Sequence, residues 1–280
     1  MTGSPLESRA RARFAELLGR PEVPLDEAAL AIAEEEYPGL DPAGSLRTLD
    51  ALAARVRAAA GDRPRPATLL PALRAVLAGE EGFRGNRDSY QDPRNSYLNE
   101  VLSRKLGIPI TLSLVYMEVA RRAGLPLQGV GFPGHFLSKY VSPSGVEVFV
   151  DAFNGGEALT AEECVSRFRA VSGDRPFDPR YLVAVTPRQI LGRMLHNLKS
   201  IYVEGGDDVR AYWVIDRILM LAPNQAAEVR DRGLVAARLG AAGPAARDLA
   251  AYLEAAPGAL DADEVRAVLA SLRARPARPN

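Results

Sequence analysis

The chain has 280 residues, with 47% hydrophobic content, 35 Lys and Arg against 35 Asp and Glu, and one cysteine. That is enough apolar material for one large domain or two modest ones around a real core. A formal net charge of zero argues against electrostatic capture of nucleic acid or of an anionic membrane surface, and a single Cys164 excludes a disulfide framework or a cysteine-rich zinc site.

The first residues, "MTGSPLESRARARF", lack the apolar core of a secretory signal, and no apolar run approaches the ~20 residues of a membrane span. The expected location is the cytoplasm. Residues 5–80 are rich in Ala and Leu at helical spacing. "PLDEAALAIAEEEY" predicts a helix after Pro24 that Asp26 caps, and "DPAGSLRTLDALAARVRAAAG" one that stops at Gly61, because glycine accepts the left-handed conformation that closes a helix. "PATLLPALRAVLAGEEGF" predicts a further helix, and "RGNRDSYQDPRN" an ordered polar loop.

"SYLNEVLSRKLGIPITLSLVYMEVARRAGLPLQ" predicts two helices. Tyr97, Leu98, Val101 and Leu102 share one face of the first, which ends at Gly107. Pro109 opens the second, where its missing N–H costs nothing, and Gly124 closes it. The apolar period then changes from about 3.6 to about 2: "LQGVGF", "HFLSKYV" and "VEVFVDAF" read as strands, the last two joined by a turn at "SPSG". Helices followed by an antiparallel sheet make the fold class α+β.

From residue 187 the chain is helical again and repeats itself. "LMLAP" at 219–223 recurs as "LEAAP" at 253–257, the 34-residue tetratricopeptide period, with Ala211 over Ala245 and a proline closing each unit. Two unrelated helical hairpins are the alternative. The predicted division is residues 1–80 as a helical lead, 81–186 as a core and 187–280 as tetratricopeptide-like (TPR) repeats. The arginine-rich end "SLRARPARPN" reads as a solvated, frayed tail.

His135 and Asp151 flank the predicted hairpin. A three-residue turn with a bulge sets them directly opposite one another; a four-residue turn moves Asp151 to the other face. A carboxylate beside a histidine orients its ring and raises its basicity, which is the orienting half of a nucleophile–His–Asp machine.

The long string from "FRGNRDSYQDPRN" through "GIPITLSLVYMEVARRAGLP" and "GFPGHFLSKY" to "VFVDAFNGG" resembles the SirB-type transglutaminase-like/TPR family of bacterial proteins, over roughly residues 10–270. The resemblance implies a degenerate transglutaminase-like core, related to papain-like cysteine proteases. In that core a nucleophilic cysteine follows a Gly-x-Cys turn at a helix N-terminus, a histidine opens one strand and an aspartate lies on the next. His135 and Asp151 match the latter two positions. Fifteen residues before Gly124, where the enzymes carry cysteine, this chain has Pro109. A helix N-terminus lowers a thiol pKa through its dipole and free N–H groups, and proline has neither thiol nor hydroxyl. The expected function is therefore non-catalytic: a protein- or peptide-binding module using the His135/Asp151 cleft and the repeat helices, with no cofactor and no metal.

The alternative is a hydrolase or acyltransferase with a relocated nucleophile. Ser113, one turn after Pro109 on the same face, is the candidate, although a buried serine usually bonds a backbone carbonyl. Thr111 reads as a capping residue, Cys164 as a buried helix-face thiol, and His196 as structural. Asn95 and Asn99 either hold the 83–95 loop against the site or cap and decorate the surface. "GFPG" is expected to let the backbone approach the helix N-terminus closely.

Overall fold

The computed structural model describes residues 8–274; residues 1–7 and 275–280, the latter holding most of the arginine-rich tail, lie outside the described residues. Two compact units emerge, one of Ala12–Met194 and one combining the segment up to Arg11 with that from Leu195 onward.

Helix α1 (Arg9–Leu18) carries residues of both units, and the larger unit continues with α2 (Leu25–Glu36), α3 (Pro42–Ala59) and α4 (Pro66–Arg74). Asp41 caps α3, its carboxylate accepting from the N–H groups of Ala43 and Gly44. Asp26 does not cap α2. The N-cap is Pro24, without a side-chain bond, and Asp26 is drawn inside, where Arg122 and Arg121 pair with it. The pull of two guanidiniums outweighs a cap worth about 1 kcal/mol. After α4 the chain widens into a π-helical stretch, Ala75–Glu80, which the apolar periodicity did not separate from a helix.

A two-residue strand β1 (Arg84–Gly85) pairs in parallel with β2 (Leu106–Gly107). Between them lies α5 (Leu98–Arg104). Gly107 is not its terminator. Lys105 closes α5 in the left-handed conformation, φ 61°, and Gly107 is required instead because a Cβ there would stand 2.9 Å from the Thr111 hydroxyl.

Helix α6 (Pro109–Ala123) starts and stops where the sequence places it, with Pro109 in its first turn and Gly124 at φ 92° as its cap. All its residues from Pro109 to Ala120 are buried, so it is the central rod of this unit, enclosed on every side, with Thr111, Ser113 and Glu118 as its buried polar residues, packed by α3, α5 and the sheet. The sheet has the order β3 (Gln128–Val130), β4 (Leu137–Val141), β5 (Glu147–Asp151) and β6 (Glu157–Leu159), all antiparallel. β6 is an element the sequence reading missed. Helix α7 (Ala161–Ser172), capped reciprocally by Thr160 and Glu163, closes over Val130, Phe132, Leu137, Phe149, Leu159, Cys164 and Phe168. Each large apolar side chain so buried contributes on the order of 1.5–3 kcal/mol.

Helix α8 (Pro187–Glu204) carries residues of both units. In the smaller unit α9 (Asp208–Leu221), α10 (Ala226–Arg238), α11 (Ala242–Ala255) and α12 (Ala262–Ala274) pack successively. Pro223 and Pro257 lie just beyond α9 and α11, and Ala211 and Ala245 are fully buried, as the 34-residue repeat predicts. Gly233 lets α10 approach α11 closely: a Cβ there would meet Leu249 Cδ2 at 2.8 Å. Buried Asp216 is held by Arg11, Arg217 and Arg232 at 2.8, 2.7 and 3.1 Å. Among the described residues no helix is long and apolar enough to cross a membrane.

Candidate functional site

The hairpin settles neither of the two predicted turns. Val141 pairs Glu147 and Ser138 pairs Val150, so the connection has five residues, tied by Gly145 N–H to Ser142 O and Ser142 N–H to Val146 O. This register sets Asp151 across from Leu137, and His135 lies two residues earlier. It stands in the Pro133–Gly134 turn ahead of β4, not in a strand. Because the offset is two, the side chains keep to one face, and His135 Nε2 meets Asp151 Oδ1 at 2.9 Å. Gly134, at φ 66°, gives this turn its shape. The glycines of "GFPG" do not serve an approach to α6. Gly131 makes room for Val185 and Arg193 on the other side, where a Cβ would lie 3.4 and 3.6 Å from them.

Asp151 is 1% exposed and fully engaged. Asn154 donates to it through N–H at 3.2 Å and Nδ2 at 2.8 Å, and Arg167 through Nη1 at 2.9 Å. Burial alone would raise this carboxyl; the hydrogen bond and charge of His135, then the bonds from Asn154, outweigh it and hold Asp151 below the usual carboxylate range. With Nε2 given to the carboxylate, His135 Nδ1 has no partner among the described residues. The ring is the oriented half of an acid–base pair with one nitrogen open. Phe153 meets it edge-on, centroids 5.9 Å apart. Tyr90 and Arg87 pack against Phe153 in turn.

A cavity of about 320 Å³ opens beside the pair, with His135, Asp151, Asn154, Arg167 and Cys164 among its lining and Phe132, Leu137 and Phe168 supplying the apolar wall. Cys164 is buried, as expected of a helix-face thiol, and burial pushes it up to about 11. It therefore carries almost no thiolate at neutral pH.

Pro109 and Ser113 lie on buried α6. The Ser113 hydroxyl donates to Phe136 O at 3.4 Å, the carbonyl of the residue after His135. Thr111 accepts from Ile108 N–H and donates to Asn95 O at 2.6 Å, joining the helix start to the loop before it. Asn95 holds that loop. It is fully buried, accepts from Asn86 Nδ2 at 3.0 Å and donates to Ser89 O at 2.7 Å. Asn99 does not share in this; its Oδ1 is buried without a partner. Exposed His196 pairs with Glu228 in the smaller unit. Among the described residues no group of three or more His, Cys, Asp and Glu side chains is placed to hold a metal ion.

Sequence reasoning missed Asn154, Arg167, Phe153 and Arg87. Asn154 had a signal: Asp151 caps the short 3₁₀ turn Ala152–Asn154, and Asp followed three residues later by Asn-Gly-Gly is a capped turn. Arg167 had none, because nothing local links a helix arginine to an aspartate sixteen residues before it.

Residues 44–196 match the family described as the transglutaminase-like superfamily, and residues 198–270 match the tetratricopeptide repeat. A UPF0162 protein of Xylella fastidiosa is 41% identical over 254 residues, covering 89% of this chain and 90% of that protein. A UPF0162 protein of Pseudomonas aeruginosa is 34% identical, over 73% and 74% of the two chains. The F-box only protein 21 of Mus musculus is 35% identical over 170 residues, 56% of this chain and 26% of that protein. No solved structure matches. With its His–Asp pair on a hairpin, its proline-headed central helix and its helical repeats, the chain belongs to the transglutaminase-like superfamily, among the SirB-type UPF0162 proteins.

Proposed function

We propose that this protein is a transglutaminase-like binding module that has lost its nucleophile. It takes up a protein or peptide segment in the His135/Asp151 cleft and presents tetratricopeptide helices as a second contact surface. The division into residues 1–80, 81–186 and 187–280 belongs to the same proposal. The carrying observation is Pro109 in the first turn of α6, at the position that matches the family's cysteine, while the His135–Asp151 bond is kept at 2.9 Å. Covalent acyl transfer needs a nucleophile within reach of its base, and proline offers none.

A second reading, a hydrolase or acyltransferase, is favoured by the open Nδ1 of His135. Ser113 is its candidate nucleophile, yet its hydroxyl proton is committed to the Phe136 carbonyl. The test compares wild type, Cys164→Ser, Ser113→Ala and Pro109→Cys on peptide and glutamine-donor substrates, with and without a thiol-alkylating reagent. Turnover confined to Pro109→Cys, and abolished by alkylation, supports a site that kept its geometry and lost its nucleophile. Turnover by the wild type that Ser113→Ala or alkylation removes overturns the binding-module reading.

A further inference from the structure

Arg193, on α8 within the larger unit, is half-buried against the His135 turn. Its Nη2 donates to His135 O at 2.6 Å and to Phe132 O at 3.2 Å. Its guanidinium lies over the Phe136 ring, 5.5 Å from the centroid. Nε and Nη1 have no acceptor among the described residues, and no carboxylate pairs with the side chain. Both carbonyls it meets are neutral, so a full positive charge stands uncompensated beside the candidate site. Burial pushes Arg193 below the usual guanidinium value, with Tyr90 close enough to counter it.

Other cations of this unit are satisfied differently. Arg122 is held by Asp26, Asp50 and Glu118, and Arg167 by Asp151 and Glu157. Asp151 cannot serve Arg193, since His135, Asn154 and Arg167 take its oxygens. Arg87 resembles Arg193: it reaches Asn154 Oδ1 and lies 5.0 Å over Phe153, and no carboxylate pairs with it among the described residues. Tyr90, 44% exposed, is linked to Phe153, and Phe153 to His135. The open His135 nitrogen therefore lies beside a group of rings of which Tyr90 reaches the surface, near two guanidiniums that no carboxylate pairs with among the described residues.

We propose that Arg193 anchors a carboxylate of the bound segment, so that the ligand of this site is a peptide carrying a carboxyl group, either its own C-terminus or an acidic side chain. A half-buried guanidinium with open N–H groups gives a charge-assisted hydrogen bond to such a group. Exposed Tyr90, near Arg193, then receives the adjoining residue of the peptide. This rests on the peptide-binding reading and narrows it.

The chain has two histidines, so the His135 ring signals can be followed individually by NMR. Three probes are titrated into the full chain: acetyl-tri-alanine with a free carboxylate, the same peptide as its C-terminal amide, and acetyl-Ala-Glu-Ala-amide. The expected result is that at least one carboxylate peptide shifts His135 with an affinity about tenfold better than the neutral amide, the gain of one hydrogen bond to a charged group. Arg193→Gln, which keeps an N–H for the carbonyls, removes that advantage, so that charged and neutral peptides bind alike. Should Arg193→Gln fail to fold, Arg193→Met, which keeps an unbranched stem over Phe136 and removes the charge, tests the same point. A gain only for the free C-terminus, or only for glutamate, identifies the source of the carboxylate. Equal binding of neutral and charged peptides, or an undiminished advantage in the variants, overturns the Arg193 assignment while the peptide site stands. No response to any peptide removes both.

Discussion

Replacing Gly85 by alanine tests how the site is braced from outside its own hairpin. Gly85 lies in β1, paired with Gly107, and a Cβ on it would stand 2.5 Å from Phe153 Cε2 and Cζ and 2.6 Å from Cδ2. Carbon atoms in contact settle near 3.5–4.0 Å, so ring or backbone must retreat by roughly 1 Å. Phe153 has little room: it is 9% exposed and packed by Tyr90, Arg87 and the edge of His135. Overpacking of this kind costs about 1–3 kcal/mol. Because the ring that must move touches His135, the variant is expected to shift the His135 NMR signals and leave those of His196 in place. Denaturant unfolding measures the cost, and a second substitution, Phe153→Leu, should recover part of it as a favourable coupling in the double-mutant cycle. A loss under about 0.5 kcal/mol, within the range of ordinary surface substitutions, together with unmoved His135 signals, would refute the reasoning.

Ala245→Leu should overpack the fully buried position at the repeat crossing and lower stability by about 1–3 kcal/mol; a neutral effect on the unfolding midpoint would contradict the repeat assignment. Asp151 has a folded pKa held down, so its contribution is present above the unfolded carboxylate value near 4 and is lost as pH falls through the lower folded value. Asp151→Asn should therefore be less stable than wild type at pH 7, by roughly 1–3 kcal/mol, and the gap should narrow as pH falls below the unfolded carboxylate value near 4; a constant gap in acid urea titrations would show that the charge is not what stabilises. Cys164, buried and pushed up to about 11, should resist iodoacetamide at pH 7.5 in the folded protein and react fully in denaturant. Rapid labelling of the native chain, read by mass spectrometry, would show an accessible thiolate.

Much of this protein was legible along the chain because the signals are local. Pro109 after Gly107 and Gly124 before Pro126 act through N–H and carbonyl groups within one helical turn of themselves, so α6 keeps its predicted start and end. The 34-residue recurrence of small residues and prolines likewise reports contacts between neighbours in sequence. The family resemblance placed His135, Asp151 and Pro109 in one pattern. What the chain could not supply was anything that depends on which distant groups compete for a side chain. Asp26 has the sequence of a cap and became the partner of Arg122, ninety-six residues away. The hairpin took a five-residue connection that local turn preferences did not select, and the His–Asp pair survived because the shift was by two and preserved the face. Arg167 on Asp151, Phe153 against Gly85 and Arg193 on the His135 carbonyl are decided only when α7, β1 and α8 close around the turn. Those contacts reward closure of long loops, and no pattern of period 2 or 3.6 announces them.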